Sequence, residues 1–307
     1  MTLIDVHTLF STESKCRELL KRLRWPVRPE CPRCKGQATQ LETQKDLLYC
    51  KECDYQFTVT SGTIFHDSHL PLIKWFAAVY LLTESKKGMS ALQIKRMLGI
   101  GSYKTAWYLC HRIRAAMKIV NAQMLDGKVE MDETFIGGKS RGRHKPGQKP
   151  THGKEVVIGI RQRGGELRLF HAEDVAAGTL SRYIRLNVSK DVEAFITDEF
   201  GAYKRAAAIN NMKDKHRRIN HSSRVYVDGD IHTNTIESAF SLLKRGIIGT
   251  WHNISAKHLA AYCDEMAFRF NRRKRQDLFL DTLRHMVTAD PLTFEKLTAN
   301  PKIKAVA

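Results

Sequence analysis

Between Leu70 and Met124 apolar residues recur at the three-to-four spacing of helices. LPLIKWFAAVYLLTESKKG reads as one helix ending at Gly88, and Ser90 caps a second, SALQIKRMLG. After the Gly99-Ile100-Gly101 turn Ser102 caps a third, SYKTAWYLCHRIRAAMKIV, with Leu109, Ile113 and Met117 on one face and Lys104, Arg112, Arg114 and Lys118 around them. Two short helices about a glycine turn, the second basic, predict a helix-turn-helix in which Lys104, Arg112, Arg114 and Lys118 are the expected DNA contacts.

After Gly127 the period shortens to two. KVEMDETFIGG, EVVIGIRQ and ELRLFHAED read as strands, the last two joined at Gly164-Gly165. A helix (AAGTLSRYIRLNV) leads to a fourth strand, EAFITDEF. Next come a helical or irregular stretch rich in Lys, Arg and His, a short strand RVYVDGD, and the helix HTNTIESAFSLLKRG. A last amphipathic helix spans Ser255 to Asn271, with Leu259, Tyr262, Cys263, Met266 and Phe270 on its apolar side. Three strands followed by helix, strand and helix is the element order of a ribonuclease-H-like mixed sheet.

Ahead of these segments stand CPRC, a 15-residue insert and CKEC. Two C-x-x-C knuckles at this separation, Cys31 with Cys34 and Cys50 with Cys53, match a closed four-thiolate zinc site. The short polar and β-prone segments around them suit a zinc ribbon, structural rather than catalytic. Cys16, Cys110 and Cys263 lie in helical patterns and behave as small apolar residues. The expected fold is thus α+β and multidomain. Residues 1–66 form the ribbon with an N-terminal helix, 67–125 the helix-turn-helix-like segment, 126–275 the mixed sheet flanked by helices, and 276–307 a tail.

Charge narrows the partners. Fifty-one Lys and Arg against 32 Asp and Glu give a formal +19 over 307 residues, an excess that favours nucleic acid. The longest apolar stretch is interrupted by Pro71 and Lys74, and no lipidation signal or basic amphipathic terminal helix points to a membrane. A cytoplasmic, nucleoid-associated protein is expected. SRGRHKPGQKPTHGK, with Arg141, Arg143, Lys145, Lys149 and Lys154, reads as a loop able to lie along a phosphate backbone.

Three acids then stand out. Asp132 ends the first strand, Asp198 ends the fourth, and Glu237 begins the helix after the next strand. A lone acid at a strand end is usually a turn or cap residue, but this element order brings these three to one sheet edge. Clustered carboxylates repel unless divalent cations neutralise them. Two Mg²⁺ roughly 3.5–4 Å apart can activate an oxygen nucleophile and stabilise the leaving oxygen of a phosphodiester. Lys244 follows Glu237 by seven residues, which at about 100° per residue returns it to nearly the same azimuth. Glu133 and Glu199 point to the opposite strand face, and Glu265 is expected to pair with Arg269 one turn away.

MDETFIGGK, FITDEFGAY, HTNTIESAFSLLKRGIIGTWHNIS and HLAAYCDEMAFRFNRR resemble the bacterial insertion-sequence DDE transposases of the branch that carries an N-terminal zinc ribbon, across Cys31 to Arg273. That resemblance implies a retroviral-integrase-like catalytic domain in which Asp132, Asp198 and a third ligand hold two Mg²⁺, with Mn²⁺ as the substitute. Glu237 is the preferred third ligand, because a carboxylate binds Mg²⁺ better and Lys244 has the expected spacing from it. Some members of the branch are described with Asn there, and Asn234 stands about 60° away on the helix as a co-ligand. Lys244, with Arg245 beside it, is expected on DNA near the reacting phosphate.

The implied activity is cleavage at terminal inverted repeats and transfer of the freed 3′-hydroxyl into target DNA, by an oligomer at least dimeric. Two rival readings share much of this pattern. One is a domesticated, non-catalytic zinc-ribbon regulator; the other is a nuclease that cuts without joining.

Overall fold

The computed structural model describes residues 1–41, 44–120, 122–137, 153–219 and 232–299. The chain divides into two compact units, Met1–Lys118 with Arg272–Ala307, and Ile119–Asn271.

The first unit opens with α1 (Leu3–Leu9) and α2 (Glu13–Arg24), each N-capped by a threonine side chain, Thr2 and Thr12. A three-stranded antiparallel sheet follows, β1 (Ala38–Leu41), β2 (Gln44–Cys50) and β3 (Gln56–Phe57), in that order. Its small core is Cys31, Ala38, Leu48, Cys50 and Phe57, with Trp25 and Tyr55 packed against it. The three helices expected downstream are α3 (Leu72–Glu84), α4 (Ala91–Met97) and α5 (Tyr103–Ala116). Ser90 caps α4 through Gln93 N at 3.2 Å, as its sequence predicts. Pro71 heads α3 and offers no side-chain cap. Glu13 of α2 supplies one instead, accepting from Leu72 N at 3.0 Å and Ile73 N at 3.1 Å.

The second unit is built on a five-stranded mixed sheet. Its strands are β4 (Lys128–Ile136), β5 (Glu155–Gln162), β6 (Leu167–Ala172), β7 (Ala194–Asp198) and β8 (His216–Ile219). They lie in the order β6-β5-β4-β7-β8. The β6-β5-β4 pairs are antiparallel, and the β4-β7-β8 pairs are parallel. This is the ribonuclease-H-like sheet that the element order predicts. Gly164 makes the β5–β6 turn at φ +73°, a conformation that side-chain-bearing residues avoid.

Helix α6 (Ala177–Asn187) and α7 (Gly201–Ile209) cover one face, burying Val129, Met131, Ile158 and Phe195 with Leu180, Ile184 and Tyr203. Helix α8 (Asn234–Gly246) and α9 (Ala256–Arg272) contribute Ile236, Phe240, Leu243, Leu259 and Met266 to a second core with Val157, Leu167 and Leu169. Between these helices Ile247–Trp251 forms a wider π-type turn, with Trp251 buried against Tyr262 at 4.9 Å between ring centroids.

The fifth strand corrects the sequence reading. It is His216–Ile219, inside the stretch expected to be helical or irregular, whereas RVYVDGD lies outside the described residues. HRRI shows no apolar alternation because β8 is the last strand of the sheet among the described residues and Arg217 and Arg218 are exposed.

After α9 the chain returns to the first unit as α10 (Leu278–Thr288) and α11 (Phe294–Thr298). Within the stretch expected as a tail, α10 and α11 therefore pack as part of that unit. Phe279 of α10 packs against Phe76 at 5.7 Å and Phe10 at 6.1 Å, and those two meet edge-on at 5.2 Å. Phe279→Ala is expected to cost the first unit about 3–5 kcal/mol, with the melting transition of the second unit unmoved. Domain-resolved thermal or denaturant unfolding would read it, and a loss under 1 kcal/mol would show that α10 is not part of this core.

Candidate active site

Strand β4 alternates between two environments. Val129 and Met131 enter the α6–α7 core, so Glu130, Asp132 and Thr134 face the α8 side. The parallel ladder pairs Glu130 with Ile196. Extending that register by two residues sets Asp132 level with Asp198 at the end of β7. Asp198 accepts a bond from Phe200 N at 3.0 Å, which turns the chain into α7. On the other face the Thr197 hydroxyl lies 2.9 Å from His216 Nε2.

Helix α8 completes the edge. Its buried Ile236, Phe240 and Leu243 leave Asn234, Glu237, Lys244 and Arg245 exposed, so Glu237 and Lys244 occupy the shared azimuth their spacing predicts. The helix settles on Gly159, the β5 residue registered opposite Asp132. A Cβ there would stand 2.6 Å from Ile236 Cδ1 and 2.8 Å from Phe240 Cζ, so only glycine permits this approach. The Thr233 hydroxyl donates to Glu237 Oε1 at 2.9 Å.

Electrostatics register the clustering. Burial, followed by the charge of Glu133, raises the Asp132 carboxyl to about 7; Asp198 and Glu237 add to the rise and the Glu133 N–H opposes it. Three carboxylates whose charges oppose one another suit a divalent cation, and oxygen donors of this kind are what Mg²⁺ takes. Their oxygens are not drawn into one tight nest: among the described residues, only the four cysteines bring three or more ligand atoms within 4.8 Å of one another. Glu133 lies on the opposite face, where the Tyr203 hydroxyl donates to it at 2.6 Å. Glu265 pairs with Arg269 at 3.2 Å, both buried.

Sequence reasoning passed over Glu130. This side chain is fully buried, yet both its oxygens are engaged. Oε1 accepts from Arg163 Nε at 2.7 Å and lies 3.4 Å from His232 Nδ1. Oε2 accepts from Thr235 N at 3.1 Å, the Thr235 hydroxyl at 2.8 Å and Ile236 N at 3.0 Å. It caps α8 from the strand that carries Asp132. In the sequence it is one more polar residue at an alternating position, two before Asp132, and its partners lie far along the chain, Arg163 33 residues on and the α8 amides over a hundred.

Two of the expected DNA contacts are overturned. Arg112 is buried at 3% exposure, donates to the Ile64 carbonyl at 2.7 Å and to the His66 carbonyl, and stacks over Trp75 at 5.0 Å. Burial lowers the pKa of its guanidinium. Arg114 is buried too, at 1%. The second half of α5 is thus core, and Lys104 on its first turn and Lys118 beyond its end are the exposed cations. Lys104 Nζ stands 4.2 Å above the Phe294 ring. Arg141, Arg143 and Lys145 lie outside the described residues.

Cys31, Cys34, Cys50 and Cys53 converge as their spacing predicts. Sulfur distances are 3.6 Å for Cys31–Cys53 and 3.4 Å for Cys34–Cys50. Amides of Arg33 and Gly36 donate to Cys31 and Cys34 at 3.4 Å, the knuckle geometry that supports a thiolate. Burial works to raise the Cys31 thiol, but the backbone amides of Cys34 and Arg33, joined by the thiols of Cys53 and Cys34, outweigh it and bring it to about 7. The donor set fits a structural Zn²⁺ and leaves no open position.

Comparison with known proteins adds family information. Residues 124–271 match the ISXO2-like transposase domain and residues 11–56 the transposase zinc-ribbon domain. The chain is 30% identical over 280 residues to an uncharacterised protein in transposable element ISH50 of Halobacterium salinarum, covering 86% of this chain and 92% of that protein. It is 26% identical over 166 residues to a tRNA(Ile)-lysidine synthase of Clostridium acetobutylicum, covering 53% of this chain and 32% of that enzyme. Among solved structures, the Mos1 strand transfer complex aligns at 12% identity over 69% of this chain and 74% of that one, with a TM-score of 0.31. Among the described residues no helix is long and apolar enough to cross a membrane.

Two outcomes are expected. Asp132 is more basic in the fold than its ordinary value of 3.8, so its protonated form stabilises the fold. That contribution is complete below about pH 4 and is lost as pH rises through about 7. Without divalent ions, melting temperature should fall across this window in the native chain and less in Asp132→Asn; parallel profiles would refute the assignment. Stripping the cysteine cluster with a chelator should unfold residues 31–57, since a structural zinc contributes on the order of 10 kcal/mol. Amide exchange localised to those residues would report it, and unchanged protection there would exclude a zinc-held ribbon.

Proposed function

This chain belongs to the ISXO2-like family of DDE transposases with an N-terminal zinc ribbon, and on that footing we propose that it cuts DNA at the ends of an insertion sequence and joins them to target DNA. The observation that supports the reading is the nearness of Asp198 and Glu237 to Asp132, whose carboxyl is raised by burial and by Glu133 first and further by the charges of those two acids.

In this reading Asp132, Asp198 and Glu237 hold two Mg²⁺, with Asn234 at the helix start as a further oxygen donor. The bound ions would lower the cost of activating a water or a 3′-hydroxyl and of releasing the opposite oxygen in an in-line displacement. The protein's own share is placement. Strands β4 and β7 fix two carboxylates in register, while α8 sets the third against them. Lys244, two turns from Glu237 on the same azimuth, takes a phosphate oxygen beside the scissile bond, with Arg245 next to it.

Two chemical steps follow at the same residues. Water attacks the phosphodiester at the element's end and frees a 3′-hydroxyl. That hydroxyl then attacks a phosphodiester of the target, forming a new P–O bond as the target strand's own 3′-oxygen leaves as a hydroxyl, so the element is joined to the target. The ribbon and the exposed Lys104 and Lys118 hold the duplex at the terminal repeats through phosphate contacts, so affinity falls steeply with salt. Both ends of an element must meet, so the working form is at least a dimer.

The test incubates labelled DNA bearing an element end with a plasmid target and Mg²⁺, using the native chain and Asp198→Asn. Joined product is expected from the native chain alone. The variant should lose activity on the order of 10²–10³-fold, matching the several kcal/mol a metal contributes at about 1.4 kcal/mol per decade. Cleavage without joining would make the protein a nuclease, and salt-sensitive binding with neither reaction would make it a non-catalytic DNA-binding protein.

A further inference from the structure

We propose that Glu130 is a positioning residue for the reaction: it fixes where α8 sits along the sheet, and therefore where Glu237 meets Asp132 and Asp198. The inference rests on reading those three as the metal-holding set.

A carboxylate removed from water is costly unless its oxygens are fully engaged. At Glu130 that cost is met by directional partners, and three of them belong to the first turn of α8: Thr235 N, the Thr235 hydroxyl and Ile236 N. The helix has no cap of its own. Thr233 stands at the capping position, but its hydroxyl is given to Glu237. Orphan amides at the start of a helix require an acceptor and favour an anion. Here the acceptor comes from a strand over a hundred residues earlier.

The identity of that strand gives the bond its consequence. Glu130 and Asp132 share a face of β4, about 6.6 Å apart at roughly 3.3 Å per residue. Ile236, whose amide Glu130 holds, immediately precedes Glu237. One rigid strand thus carries a member of the carboxylate set and grips the helix that carries another. Apolar packing alone does not fix this placement, because the hydrophobic contact of Ile236 and Phe240 is non-directional. Gly159 determines how closely α8 approaches the sheet, and Glu130 determines its position along it. Arg163 braces the arrangement, donating to Glu130 and, at 2.8 Å, to the His232 carbonyl just ahead of the helix.

The test separates reach from charge in the full-length protein. Glu130→Asp keeps the charge and shortens the side chain; Glu130→Gln keeps the reach and an accepting oxygen but loses the charge. Each is measured for cleavage rate at saturating DNA, DNA concentration at half-saturation, Mn²⁺ affinity of the DNA-free protein by electron paramagnetic resonance, and melting temperature. Glu130→Asp should cut about 100-fold more slowly, the cost of roughly an ångström of misplacement. It should bind Mn²⁺ about tenfold more weakly, as loss of a group that orients a ligand does, with half-saturation by DNA unchanged. Glu130→Gln should retain most of the rate and Mn²⁺ affinity even though its melting temperature falls further.

The proposal is overturned if Glu130→Asp matches the native chain in both rate and Mn²⁺ affinity. It is equally overturned if both variants lose rate in proportion to lost stability, as a purely structural role requires. Should the native chain neither cut nor join DNA while the Mn²⁺ ordering holds, the transposase reading fails and the positioning role stands.

Discussion

Glu130 reaches from β4 to the first amides of α8, and the arrangement of the sheet edge depends on that bond. Without it the edge would consist of two strand-borne aspartates and a helix held mainly by its apolar face. With it, residues far apart in sequence share one frame: Asp132 on the strand, Asn234 and Glu237 on the gripped turn, and Lys244 two turns further along. The same device recurs in the first unit, where Glu13 caps the α3 amides of Leu72 and Ile73. In both places the capping acceptor comes from another element, so a helix start is tied to its tertiary neighbour rather than to its own sequence.

The sheet edge is also where the fold works against itself. Burying Asp132 beside Glu133, Asp198 and Glu237 raises its carboxyl to about 7, a cost that a structure optimised for stability alone would avoid. Glu133 shows the contrast. One residue along, on the opposite face, it takes the Tyr203 hydroxyl and belongs to the packing against α7. Two adjacent acids on a strand therefore meet different fates because the pleat alternates.

Much of this was legible in the sequence. Strand β4 announces itself by alternation and β7 by its apolar run, the β5–β6 turn by Gly164-Gly165, and the cysteine cluster by knuckle spacing. The shared azimuth of Glu237 and Lys244 follows from helical geometry alone. What stayed hidden depends on distant partners. Arg112 reads as a surface cation because nothing nearby reveals the Ile64 and His66 carbonyls that bury it, 48 and 46 residues earlier. His216–Ile219 reads as irregular because it pairs with β7 through its backbone and exposes its arginines. Glu130 is silent for the same reason: alternation marks its face, but not its partner across the sheet.

The return of the chain through α10 has a consequence for the gene as well as for the fold. Phe279 completes an aromatic cluster with Phe10 and Phe76, so the first unit is assembled from segments on either side of the second in the sequence. During synthesis the second unit leaves the ribosome before the first has its last helix. A copy that loses its final codons to a frameshift would keep every candidate metal ligand and still be damaged in the unit that bears the ribbon. Decay of such an element from its 3′ end would thus strike first at the unit that carries the four-cysteine cluster, leaving the carboxylates of the second unit intact.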